Sequence, residues 1–223
     1  MTADESHLLE TKRTLLAAIL PHVPFDGWTQ KSLRAAAADA EVSPALAKLA
    51  FPDGIAGVIV FWSEEADRAM LEAYADQAGD KMRFRERITA LVRARIVAVG
   101  AHREAVRRAL TYLAQPQHGG KGLKCLYRTV DEMWYAAGDR STDFNFYSKR
   151  LTLAGVYSST LLFWLDNASE DSDATWAFLD RRIAGVMRIP QRRENLRRAT
   201  DLFPNPRRFA RLVSERLREG RAG

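Results

Sequence analysis

The densest run of side chains able to do chemistry is Asp131, Glu132, Asp139, Ser141, Thr142, Asp143 and Asn145. Two carboxylates can share acid and base work, but no histidine stands beside them, and neither a nucleophile elbow nor a glycine-rich phosphate loop accompanies them. They read better as structure. Thr142 is placed to cap the helix that follows, and Asp143 would sit in its first turn, where negative charge meets the positive end of the helix dipole. The four histidines (His7, His22, His102, His118) are scattered without metal-ligand spacing, and the single cysteine, Cys125, excludes an internal disulfide. The residues thus point away from catalysis, and no cofactor or metal is expected.

The elements around this run are helical. Apolar residues recur at intervals of three and four with little alternation of period two, which predicts an all-α protein. Apolar residues make up 47% and charged residues 28% of the 223, a globular composition. A first helix is expected from Ser6 to His22, ended by Pro21, Pro24 and Gly27. Thr29 reads as the cap of a short helix containing Leu33, Ala36 and Ala37, and Ser43 as the cap of another with Pro44 at its first position. These three helices form a helix-turn-helix headpiece over residues 1–53. A bundle over residues 54–189 follows, with helices at Ile55–Gln77, Met82–Gly100, His102–Gln115, Leu123–Ala137, from Ser141 to about Asp166, and Asp173–Met187. Gly138 is placed to terminate the fourth of these, and the Gly119-Gly120 pair to separate it from the third.

A helix-turn-helix suggests DNA, but a recognition helix needs arginine, lysine, asparagine or glutamine to reach bases and phosphates. The third helix offers Ser43, Pro44, Ala45, Leu46, Ala47, Lys48 and Leu49, with one cation and no amide. No nucleic-acid partner is therefore expected. The basicity lies elsewhere. Of the net charge of +6, residues from Arg181 onward carry +9, thirteen arginines against four acids. Within the tail, residues 190–223, Phe209, Leu212 and Val213 recur at helical spacing, while Arg192, Arg193, Arg197, Arg207 and Arg208 supply charge. A basic amphipathic helix of this kind suits an anionic membrane surface. The longest apolar stretch, Leu151–Leu165, is too short and too interrupted by hydroxyls to span a bilayer.

The helix ending near Asp166 is apolar on two sides. One stripe holds Phe144, Tyr147, Leu151, Ala154, Ser158, Leu161 and Leu165, and the other Phe146, Arg150, Leu153, Tyr157 and Trp164. A helix of this kind is buried centrally or gives one face to a ligand, lipid or partner.

The stretch from Leu126 to Arg150, LYRTVDEMWYAAGDRSTDFNFYSKR, strongly resembles the core motif of the Coq-nine family of ubiquinone biosynthesis proteins. The stretch Ala174–Ile183, ATWAFLDRRI, is similar to the family's second signature. The resemblance implies a TetR-like helical bundle, usually a homodimer, whose headpiece is not used on DNA. It also implies a non-catalytic accessory protein that binds an isoprenoid lipid or quinone intermediate and presents it to the hydroxylase of the ubiquinone pathway. The family's partner-binding positions correspond here to Met133, Asp143, Phe146, Tyr147 and Arg150, Phe146 standing where tryptophan is common. The two-sided apolar helix then predicts a lipid cavity enclosed by the helices of Leu91, Leu110, Leu126 and Leu161. An acidic opening stretch without a leader-like apolar run places the chain in the cytoplasm, peripheral on the inner membrane of a bacterium. The alternative is a ligand-responsive transcriptional repressor of the same fold.

Overall fold

In the computed structural model, residues 3–77, 82–139, 145–167 and 172–188 are described, with the side chains at 3, 145–148 and 186–188 outside that description. Their regular structure is helical throughout. The headpiece comprises α1 (Ala3–Ile19), α2 (Val23–Asp26), α3 (Gln30–Asp39) and α4 (Pro44–Ala50). Beyond it lie α5 (Ile55–Gln77), α6 (Phe84–Val97), a single 3₁₀ turn at Gly100–His102, α7 (Arg103–Leu113), α8 (Gly119–Ala136), α9 (Asn145–Asp166) and α10 (Asp173–Arg188). One compact unit runs to Ile183 and a second starts at Ala184.

The helix starts are set by local chemistry. Thr29 accepts a hydrogen bond from the Ser32 amide while Ser32 accepts one from the Thr29 amide, a reciprocal box that satisfies two otherwise orphaned donors at the start of α3. Ser43 caps α4 by accepting from the Leu46 amide, with Pro44 in its first turn. Between them the chain turns through Glu41, whose φ of 54° is left-handed backbone for a residue with a side chain. The amides of Glu41 and Val42 return to the carbonyls of Ala38 and Ala37, so α3 ends in a Schellman turn without the usual glycine. At the end of α8 glycine does stand at the corresponding place. Gly138 has φ 93°, its amide bonds to the Tyr135 carbonyl, and the Asp139 amide bonds to that of Trp134.

In the headpiece, α1 packs against α3 and α4. Its Leu15 and Ile19 are fully enclosed, and α3 and α4 meet α1 through small residues, Ala36, Ala37, Ala47 and Ala50. Each enclosed leucine or isoleucine contributes about 1.5–3 kcal/mol relative to an exposed one. Trp28 ties this unit to the bundle. Its indole N–H donates to the Ala105 carbonyl at 3.0 Å, and its ring lies 5.4 Å from that of Trp62 on α5.

The central helix is α5, which packs on α6 and α8 and buries Ile55, Val58, Ile59, Trp62, Ala66, Met70 and Tyr74 along the expected face. Among the described residues no single helix is long and apolar enough to cross a membrane. Helix α8 begins earlier than its glycines suggest. Gly119 and Gly120 form its first turn, and the α7–α8 connection is closed by Tyr112 and His118, whose rings stack at 4.4 Å. Gly122 permits this tight return, because a Cβ there would lie 3.2 Å from Leu113 Cβ.

The two stripes of α9 have different fates. Leu153, Tyr157 and Trp164 of the second stripe are buried along with Arg150, whereas the first is divided, Leu151 being 76% exposed and Leu161 and Leu165 buried. Helix α9 packs against α8, and near its C-terminal end both stripes are buried.

Candidate functional site

Helices α5, α6, α7, α8 and α9 enclose a cavity of about 540 Å³. Its wall is largely apolar. Ile59 and Trp62 come from α5, Val106, Leu110 and Leu113 from α7, Leu123 and Leu126 from α8, and Leu161 and Leu162 from α9.

Polar groups occupy one part of this wall, namely Ser63, Arg95, Cys125, Thr129 and Tyr157. Ser63, Arg95 and Thr129 belong to a network centred on Asp67, and Cys125 and Tyr157 stand beside it. Asp67 Oδ1 accepts from Arg95 Nε at 2.7 Å and from the Thr129 hydroxyl at 2.8 Å, and Oδ2 accepts from Arg128 Nε at 3.1 Å. Arg95 Nη2 donates to the Ser63 carbonyl and hydroxyl, and Arg128 Nη1 also reaches Glu64 at 2.7 Å. Burial opposes the charge on Arg95, while Tyr157 and Asp67 favour it, leaving the guanidinium above its ordinary pKa. Burial also pushes the Tyr157 hydroxyl up, only partly offset by Arg95, and pushes the Cys125 thiol up. Both therefore stay protonated at neutral pH.

Of the expected cavity residues, Leu110, Leu126 and Leu161 line this space. Leu91 does not. It is fully enclosed in the core on α6, one turn before Arg95, which does reach the cavity wall. The expected partner surface is also redistributed. Met133 has no exposed surface and packs in the core, because it lies on the buried side of α8 with Thr129 and Val130. Arg150 is turned inward as well and pairs with Asp131 at 2.6 Å. Phe146 and Tyr147 lie in the first turn of α9 with their side chains outside the description, and Asp143 lies outside the described residues. So do Arg192, Arg193, Arg197, Arg207, Arg208, Phe209, Leu212 and Val213 of the basic tail.

The acidic run seen in sequence is structural where it is described, Asp131 holding Arg150 and Asp139 holding Lys149. The Asp67 network was missed. Its signal was present, since Asp67 shares the apolar face of α5 with Met70 and Tyr74, and Arg95 stands among Leu91, Val92 and Ile96. A charge on a buried face requires a buried partner.

A COQ9 family model matches residues 120–190. The ubiquinone biosynthesis protein COQ9, mitochondrial, of Rattus norvegicus is 32% identical over 190 residues, covering 81% of this chain and 60% of the relative. The Bos taurus protein of the same name is 30% identical, covering 81% and 58%. A probable ubiquinone biosynthesis protein coq9, mitochondrial, of Dictyostelium discoideum is 23% identical, covering 80% and 60%. The chain thus spans about three fifths of the length of these relatives. A TetR transcriptional regulator from Nitrosomonas europaea has the same fold, with a TM-score of 0.67 and 22% identity over 80% of this chain and 98% of that one.

These relatives are mitochondrial, which overturns the expected cytoplasmic location on a bacterial inner membrane. An acidic opening stretch is no guide to compartment in a chain that spans part of its relatives. The helical fold is TetR-like, and this chain is similar to COQ9 proteins along four fifths of its length, with a COQ9 family model matched across α8, α9 and α10.

Proposed function

We propose that this chain is a non-catalytic accessory protein of ubiquinone biosynthesis. It holds an isoprenoid lipid or quinone intermediate in the cavity bordered by Leu110, Leu126 and Leu161 and presents it to a hydroxylase of the pathway. The observation that carries this reading is the cavity itself, which falls in the range of roughly 300–1,000 Å³ usual for small-molecule sites. Close packing is the default for protein interiors, and a void of this size is retained against its cost in lost contacts. Native mass spectrometry of protein purified from a ubiquinone-producing host, followed by lipid extraction, is expected to release an isoprenoid quinone or its precursor. Protein that carries no such lipid and binds no added short-chain ubiquinone would overturn the reading.

The basic tail supplies the membrane contact in this proposal. Flotation with anionic vesicles should weaken with salt and also fall when Phe209 and Leu212 become alanine, because charge and apolar insertion act together. Binding that ignores the apolar substitutions would reduce the contact to charge alone. The working unit is a homodimer, checked by light scattering.

The composition of α4 argues against the repressor alternative. It exposes Pro44, Ala45, Lys48 and Leu49, with Leu49 at 65% exposure, and these groups offer bases little to pair with. A salt-dependent gel shift on genomic DNA should show no sequence-specific complex.

A further inference from the structure

The cavity has polar groups on its buried wall, beside apolar ones, and exposed apolar residues where it opens. Arg95 and Tyr157, 5% and 6% exposed, stand on its wall with the buried Thr129. Leu123 and Leu162 stand on the same wall but are 69% and 59% exposed, which makes them the rim. A pocket that swallows a lipid tail and leaves the head in water needs the opposite arrangement, an apolar floor and a polar mouth.

The buried polar groups also have capacity to spare. Among the described residues the Tyr157 hydroxyl makes no hydrogen bond, although a buried phenol ordinarily finds a partner. Arg95 commits Nε and Nη2 to Asp67 and Ser63. Its Nη1 makes no hydrogen bond to a described residue, and a guanidinium has five donors to place. The charges are already balanced, since Arg95 and Arg128 face Asp67 and Glu64. An anionic head would bring an uncompensated charge into this interior, whereas a neutral carbonyl or phenol oxygen would only accept or exchange hydrogen bonds.

We propose that the cavity binds its ligand head inward. An uncharged, oxygen-bearing ring of the quinone or phenol class docks against Tyr157 and Arg95, and its isoprenoid tail leaves past Leu123 and Leu162. This rests on the reading above that the cavity holds an isoprenoid lipid, and it adds the head class, the orientation and the residues that select them. Burial keeps the Tyr157 hydroxyl protonated, so it serves as a donor to a ring carbonyl.

The test compares two probes on the full chain by calorimetric titration, a ubiquinone with two isoprene units and the headless isoprenoid hydrocarbon farnesene. Wild type should bind the quinone more tightly. Tyr157→Phe removes one hydroxyl and no packing volume, and should weaken the quinone about five- to tenfold while leaving farnesene unchanged. Leu162→Glu, at an exposed position where folding is not at risk, should weaken the two-isoprene quinone and spare the tail-less dimethoxy-methyl-benzoquinone ring. Equal effects of Tyr157→Phe on both probes, or none on either, overturn the inward head while farnesene binding keeps the lipid cavity. Loss of the tail-less ring on Leu162→Glu likewise places the head at the rim. If neither probe binds wild type, both the orientation and the cavity reading fail.

Discussion

The headpiece and the cavity region bury side chains by different rules. In the headpiece, the leucine and isoleucine of α1 close against alanines of α3 and α4, and short caps fix where each helix starts. Around the cavity, large leucines from α7, α8 and α9 border empty space, and the nearest tightly satisfied contacts are ionic, between Asp67 and the two arginines. Packing stabilises the first region by contact. In the second, a polar network with partners on three helices ties α5, α6 and α8 together beside the void. A region with open space at its centre cannot rely on the collapse that stabilises a close-packed one.

The largest effect should come from breaking that network. Asp67→Ala leaves Arg95 buried without its main counter-charge, and loss of one member of a buried pair costs about 3–5 kcal/mol. Urea denaturation should show the loss. A cost below about 1 kcal/mol would mean that the cluster is wetter and less important than its burial indicates.

Next comes a matched pair of truncations. Leu15→Ala in the headpiece should cost about 3 kcal/mol, since it opens a new hole in a fully enclosed site. Leu126→Ala on the cavity wall should cost less than about 1 kcal/mol, because its side chain already borders space. Equal costs would erase the distinction between the two regions.

Alkaline pH should separate them as well. Cys125 and Tyr157 have pKa values raised above the ordinary 9.0 and 10.0, so the folded chain holds protons that the unfolded chain gives up. Their contribution is complete below those ordinary values and is lost as pH rises through the raised ones. Unfolding free energy should therefore fall as pH rises above about 8, and fall less in Tyr157→Phe. An identical slope in the variant would remove Tyr157 from the account.

The smallest effect belongs to the headpiece turn. Glu41 holds left-handed backbone at φ 54°, which costs a residue with a side chain roughly 1–2 kcal/mol. Glu41→Gly relieves that cost but adds freedom to the unfolded chain, so a net gain of about 0.5 kcal/mol is expected. A loss in thermal or urea denaturation would show that the Glu41 side chain contributes more than its backbone costs.

Much of the fold is local and was therefore legible in the residues themselves. Thr29, Ser43 and Gly138 act through bonds to neighbours a few positions away, and the buried face of α5 follows from a helical period that any stretch carries by itself. The long motif running into α9 pointed to the family whose model matches residues 120–190. Tertiary structure decided what lies at long range. Asp67 is 28 residues from Arg95 and 62 from Thr129, a separation that no local pattern encodes. Periodicity marks a side of a helix as apolar but does not say whether that side meets a neighbour, a void or solvent. That is why Leu91 and Met133 are core residues, Leu126 borders a cavity and Leu151 faces water, although all four are apolar residues on amphipathic helices.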